Sequence, residues 1–321
     1  MRLETVAVIG AGAWGTALAQ AAASAGRTVT LVGRDPAAID EINSQRRNRK
    51  HLGELLLSER IAAAVTRPDA DLIILAVPAQ QSRAALAQVA AGLAGKPVIL
   101  SAKGLETGTL KRQSEILAEI APGAVPYVLS GPSFAADVAA GRPTAVTLAG
   151  DDPDATDEVA AAMAGPTFRP YAAGDILGVE IAGALKNVYA LACGAVEGAG
   201  LGPSARAALI ARGFAELTRY VVALGGAAST LNGLAGVGDL TLSCTSQDSR
   251  NYRYGMALGA GRAPGAALAE GVATTPVAKA LARKLGIDAP LVDAVDLLLA
   301  GNSSISTIVA GLMSRPLKRE E

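Results

Sequence analysis

The chain is poor in the residues that most often announce a protein's chemistry. Aromatics make up 3% of 321 positions, cysteine occurs twice and histidine once. Cys193 and Cys244 stand far apart in sequence, so neither a disulfide framework nor a zinc cluster is encoded, and a reducing compartment is the expected setting. Net charge is absent as well. Lys plus Arg equals Asp plus Glu at 29 each, which leaves no global field to gather nucleic acid or an anionic membrane. Any recognition of phosphate must therefore be local. No apolar run is long and uninterrupted enough for a signal sequence or membrane span; residues 181–201 contain Lys186, Asn187 and Glu197 and read as a core helix. Half of the residues are nonetheless hydrophobic. With Ala and Gly abundant, the core is expected to rest on aliphatic side chains and close helix approaches.

The length suggests two domains. In the first half, short aliphatic runs alternate with Ala-rich amphipathic stretches: Val6–Ile9, Ala13–Ala25, Val29–Val32, Ala37–Arg47, Leu72–Val77, Gln80–Leu93, Val98–Ser101, Tyr127–Leu129 and Ala145–Leu148. Uniformly apolar strands are buried on both faces, which predicts an α/β, Rossmann-type doubly wound parallel sheet clad by helices. A short helix is expected after Pro132, with that proline at its first position. Beyond about residue 172 long Ala/Leu segments follow at 176–200, 204–225, 252–260, 274–286 and 289–300, the pattern of an all-α domain. The expected division is 1–174 and 175–321.

Gly10-Ala11-Gly12-Ala13-Trp14-Gly15 follows a predicted strand and opens a predicted helix, the context in which G-x-G-x-x-G binds a dinucleotide. Gly10 permits the tight turn, Gly12 lets main chain approach a pyrophosphate, and Gly15 lets helix pack on strand. The end of the second strand carries both Arg34 and Asp35. Arg34 comes first and can reach a 2′-phosphate, favouring NADPH with NADH allowed, while Asp35 precedes Pro36 and reads equally as a helix cap. The dense basic run Arg46-Arg47-Asn48-Arg49-Lys50-His51 reads as a solvated loop, with part of it an alternative partner for that phosphate. Gly95-Lys96 is followed by Pro97, which excludes a phosphate-binding P-loop there.

A dinucleotide site implies hydride transfer, and the carbonyl end of that reaction needs a proton donor. The lone His51 lies in the basic run, none of the six tyrosines has lysine four positions on, and zinc ligands are missing. Lysine remains. Lys186 interrupts the apolar stretch Ile181–Val188, where a charge is costly unless paired or needed. Snorkelling from a half-buried helix is the competing explanation. Glu180 and Asn187 are its neighbours in sequence, and Asp239 in a Gly-rich turn is a candidate partner or a simple cap. A further polar island surrounds Arg250, suited to a phosphate dianion at a helix start or to a capped surface turn.

Seven ordered motifs give the chain a broader resemblance: GAGAWGTALA at Gly10–Ala19, GRD at Gly33–Asp35, KGLE at Lys103–Glu106, SGPSFAADVAAGRPTA at Ser130–Ala145, ALKN at Ala184–Asn187, GLAGVGDL at Gly233–Leu240 and CTSQDSRNYRYG at Cys244–Gly255. Together they resemble the bacterial NAD(P)-dependent glycerol-3-phosphate dehydrogenases over almost the whole length. The resemblance implies reversible reduction of dihydroxyacetone phosphate in the cytoplasm, feeding phospholipid synthesis, and allows a homodimer. It implies Lys186 as the proton-exchanging group, and Lys103, Gly131, Ser133, Asp239, Ser249, Arg250 and Asn251 as substrate contacts. For the cofactor it implies Trp14, Arg34, Lys103, Ala135, Arg250 and Glu270, with Leu268 beside it and His51 nearby. The chain departs from the family pattern at Ala13, where Ser is common, at Asp137, where Glu is usual, and at Tyr189, where an aliphatic residue is common. Alternatives are a β-hydroxyacid dehydrogenase, which gives no reason for the Ser-Arg-Asn island, and a dinucleotide-sensing protein without catalysis.

Overall fold

The computed structural model describes residues 3–265, 268–316 and 319. Strands and helices alternate from the start: β1 (Thr5–Ile9), α1 (Ala13–Ser24), β2 (Thr28–Val32), α2 (Pro36–Gln45), α3 (Arg49–Leu52), β3 (Ile61–Ala64) and β4 (Leu72–Leu75). After a 3-10 turn at Ala79–Gln81 come α4 (Ser82–Val89), β5 (Pro97–Leu100), α5 (Gln113–Ile120) and β6 (Val125–Ser130). The sheet is completed by α6 (Ala135–Ala139), β7 (Thr144–Ala149), α7 (Pro153–Met163) and β8 (Phe168–Ala173).

The eight strands are ordered β3-β2-β1-β4-β5-β6-β7-β8. β4 is Leu-Ile-Ile-Leu, buried at every position, as a strand covered on both faces must be. Because β1 pairs with β2 on one side and β4 on the other, crossovers leave it toward opposite edges and a crevice opens beyond their carboxyl ends. Pairing is parallel from β3 to β6, but β7 runs antiparallel to β6 and β8 parallel to β7. This modifies the expectation of a wholly parallel sheet. The link from β6 to β7 carries only the five-residue α6, whereas the parallel step from β7 to β8 is made through the eleven-residue α7. Pro132 lies ahead of Phe134, the cap of α6, and so does not start that helix as expected. β8 contains Pro170 and is tolerated because it is the sheet's edge.

The remainder is helical: α8 (Ile176–Gly198), α9 (Pro203–Ala223), α10 (Asp239–Thr245), α11 (Arg250–Gly259), α12 (Glu270–Leu285), α13 (Pro290–Leu299) and α14 (Ile305–Met313). Asp175 caps α8 by accepting from the Gly178 amide at 2.8 Å. α8 is long and apolar enough to cross a membrane, yet 94% of that stretch is buried within the fold, as the axis around which α9–α13 pack. The scarcity of aromatics is resolved along its contact with α11. A Cβ on Gly194 or Gly198 would overlap the carbonyls of Tyr252 and Met256, and one on Gly255 or Gly259 would overlap those of Leu191 and Ala195. Two Gly-x-x-x-Gly faces thus bring main chain against main chain. Cys193 and Cys244, distant in sequence, meet in this core as free thiols, with burial the main influence raising the Cys244 pKa.

Candidate active site

At the crevice, Gly10 has φ +115°, and a Cβ there would lie 2.7 Å from the Ala76 carbonyl oxygen; only glycine lets β1 and β4 close up in this way. A side chain on Gly15 would overlap the Gly10 carbonyl, whereas a Cβ on Gly12 would meet nothing within 4 Å. The amino end of α1 therefore faces open space with its amides and positive dipole exposed, a cradle that fits a dinucleotide pyrophosphate. Trp14 packs beside it with a buried Nε1 that has no partner among the described residues. Ala135 opens α6, which packs on α1.

At the end of β2 the two candidate readers diverge. Arg34 Nη2 reaches across to Gln81 Oε1 at 3.3 Å. Asp35 Oδ1 accepts from the Ala37 amide at 3.1 Å and caps α2, so the cap reading of Asp35 holds. His51 lies in α3, its imidazole pKa lowered first by desolvation and then by Lys50, with Asp35 opposing.

Lys186 projects from α8 and is 7% exposed. Its Nζ donates to Asp239 Oδ1 at 2.5 Å and to Ser243 Oγ at 2.7 Å. The snorkelling alternative is thereby excluded. Asp239 and Ser243 share a face of α10 at i, i+4 spacing, and the carboxylate stands at that helix's positive end. A π-helical turn, Leu234–Gly238, delivers Asp239 to this place; a side chain on Gly236 would overlap the Leu231 main chain. Lys103, from the loop after β5, donates to the other oxygen, Asp239 Oδ2, at 2.7 Å and to the Gly131 carbonyl at 3.0 Å. Ser133 Oγ donates to the same carbonyl at 3.0 Å.

Burial lowers the Lys186 pKa to about 8; Asp239 opposes this and Lys103 adds to it. For Asp239 burial alone would raise the carboxyl pKa, but the two ammonium groups together prevail and hold it below the usual value. A carboxylate that stays charged next to an ammonium that exchanges its proton near neutrality is the arrangement acid–base chemistry needs.

A second chain of contacts links the elements around this cluster. Asn187 Nδ2 donates to the Lys103 carbonyl at 2.9 Å, Asn251 Nδ2 to Asn187 Oδ1 at 2.8 Å, and the Gly271 amide to Asn251 Oδ1 at 2.9 Å. The adjoining Glu270 accepts from the Ala79 amide at 3.3 Å, joining α12 to the sheet domain. Burial raises its carboxyl pKa, while Ala79, Arg250, Lys186 and Lys103 counter it. Ser249 Oγ accepts from the Tyr252 amide at 3.3 Å and caps α11, keeping its own hydroxyl proton to donate. Arg250, the first residue of α11, is exposed. Leu268 is 48% exposed ahead of α12.

Sequence reading missed Ser243, whose only signal is its spacing from Asp239 along a helix too short to be read. Glu180 does not join the Lys186 cluster. It turns to α5, accepting from the Ser114 amide at 2.9 Å, Ser114 Oγ at 2.5 Å and Arg112 Nη1 at 3.1 Å.

Known proteins share the sequence pattern and the fold. The family model for the NAD-dependent glycerol-3-phosphate dehydrogenase N-terminus matches residues 5–156, and that for the C-terminus matches 175–310. A glycerol-3-phosphate dehydrogenase [NAD(P)+] of Caulobacter vibrioides is 51% identical, covering 100% of both chains, and one of Brucella canis is 48% identical over 98% of this chain and 99% of its own. The crystal structure of glycerol-3-phosphate dehydrogenase from Coxiella burnetii superposes with a TM-score of 0.92 at 34% identity, covering 98% of this chain and 99% of the other. With both halves matched in order around one lysine–carboxylate–lysine cluster, the chain belongs to the NAD-dependent glycerol-3-phosphate dehydrogenase family.

Proposed function

We propose that the protein reversibly reduces dihydroxyacetone phosphate to sn-glycerol 3-phosphate, with NADPH preferred and NADH accepted. The observation that carries this reading is Lys186, buried in apolar surroundings, held by Asp239 and Ser243, with a proton affinity near neutrality.

A reduced nicotinamide, when bound, supplies the hydride. The Gly10–Gly15 turn and the amino end of α1 would hold its pyrophosphate, with Trp14, Arg34, His51, Ala135, Leu268 and Glu270 along the rest of the molecule. Lys186 Nζ delivers a proton to the carbonyl oxygen as it becomes an alkoxide and, in the reverse direction, takes it back. Asp239 orients Nζ and stays ionised. Lys103 places positive charge between the two ligands. Arg250, Ser249 and Asn251, with Gly131 and Ser133, would hold substrate; binding energy from the remote phosphate fixes the carbonyl against the dinucleotide. Arg34 turned into the crevice and Asp35 committed to its cap support the preference for NADPH.

The same reading divides the chain into a dinucleotide-binding domain, 1–174, and a substrate domain, 175–321. It places the enzyme in the cytoplasm as a homodimer feeding glycerophospholipid synthesis. The deciding experiment follows NADPH absorbance after addition of dihydroxyacetone phosphate and then of a 3-oxoacid. Oxidation with the first alone is expected; oxidation with the second alone points to a β-hydroxyacid dehydrogenase, and none with either to a binding protein.

A further inference from the structure

The basic run that the sequence presents as a solvated loop is anchored to the glycine turn. Asn48, the residue before α3, is fully buried, and its Nδ2 donates to the Ala11 carbonyl at 3.0 Å and to Thr16 Oγ1 at 2.9 Å. α3 is thus fixed to the dinucleotide cradle by a buried side chain. The arginines around it are spent on local acids: Arg46 on Glu59 at 2.7 Å, Arg47 on Glu54 at 3.2 Å, and Arg49 on Glu41 and Glu54 at 2.8 and 2.7 Å. Lys50 does something different. Its Nζ lies 3.6 Å from Asp35 Oδ2 at the end of β2, while the other oxygen of Asp35 is occupied by the cap of α2.

An acid at the end of β2 in this fold ordinarily selects against a 2′-phosphate, by repelling it and by favouring the ribose hydroxyls. Here the acid is retained as a helix cap, one residue from Arg34. We infer that Lys50 is a specificity-determining residue: it neutralises Asp35 and thereby permits a dinucleotide 2′-phosphate beside Arg34. This rests on the dinucleotide reading proposed above. Lys50 acts through Asp35, so its effect depends on that carboxylate being charged.

The test is a double-variant cycle on the full-length protein, reading dissociation constants for NADPH and NADH from fluorescence quenching of the single tryptophan, Trp14. Asp35→Asn removes the charge while keeping a competent cap. Lys50→Ala is expected to weaken NADPH by about fivefold at low salt, less at high salt, and to leave NADH within about twofold. Lys50→Ala in the Asp35→Asn background is expected to leave NADPH binding within about twofold of Asp35→Asn alone. Equal weakening of both dinucleotides, no change in either, or the same NADPH loss in both backgrounds overturns the inference. A wild-type protein that binds neither dinucleotide overturns the underlying reading and this one with it; the wild-type titrations distinguish the two failures.

Discussion

Lys103 and Lys186 hold opposite oxygens of one carboxylate, at 2.7 and 2.5 Å from Asp239, although one lysine comes from the sheet domain and the other from the central helix. Two cations on a buried anion leave excess positive charge at the site, and burial makes Lys186 the group that relinquishes its proton near pH 8.

The pH dependence follows. Carbonyl reduction needs Lys186 protonated, so kcat/KM in that direction should fall as pH rises through about 8, and alcohol oxidation should rise through the same point. Asp239 raises the Lys186 pKa, so Asp239→Asn should move both inflections to lower pH. Lys186→Ala should lower kcat by ~10²-fold or more with the NADPH dissociation constant unchanged. An unshifted pH profile in Asp239→Asn, or near-normal turnover in Lys186→Ala, removes this pair from the mechanism.

Arg250 opens a helix of ten residues and is exposed at its positive end. Arg250→Ala should raise KM for dihydroxyacetone phosphate by about tenfold or more, the scale of a lost charge-assisted hydrogen bond, while unphosphorylated dihydroxyacetone is turned over much as before. Equal losses on the two substrates would contradict a phosphate-binding role.

Gly255→Ala places a methyl group against the Leu191 carbonyl on α8. A cost of about 1–3 kcal/mol is expected from this overpacking, read as a lower urea midpoint. Gly265→Ala, where a Cβ meets nothing within 4 Å, is the control and should leave the midpoint unchanged.

Glu216 is fully buried, accepting from the Leu291 and Val292 amides at 2.9 and 3.0 Å, and burial raises its pKa to about 7. Between the ordinary carboxyl value and about pH 7 the folded chain keeps this proton and the unfolded chain releases it. Its contribution is therefore complete below pH 4.5 and is lost as pH climbs to about 7, a decline on the order of 3 kcal/mol. Urea unfolding at pH 5 and pH 8 should record that decline in the wild type relative to Glu216→Gln. Parallel pH dependence in the two proteins would refute it.

What the sequence made legible shares one property: the signal was local. Gly10–Gly15 announced a turn between strand and helix, and Lys186 stood out as a charge within apolar residues. Ser243 was invisible because its meaning depends on the phase of α10, which a π-helical turn sets. Glu180, close to Lys186 in sequence, points elsewhere because chain distance says nothing of helix face; six residues round the helix it accepts from the first turn of α5 instead. β8 escaped notice because Arg169 and Pro170 break the apolar pattern of an interior strand, a disguise available only at an edge. The reversal of β7 is a matter of how the chain turns between 131 and 143, which no periodicity reports.

The glycine seam has a mechanical corollary. Where carbonyls of α8 and α11 abut the partner helix with no side chain between them, the offset of the two rods is set by atomic radii, and rotamer changes cannot reset it. Lys186 on one rod and Arg250 on the other therefore keep a separation that repacking of side chains along the seam cannot alter.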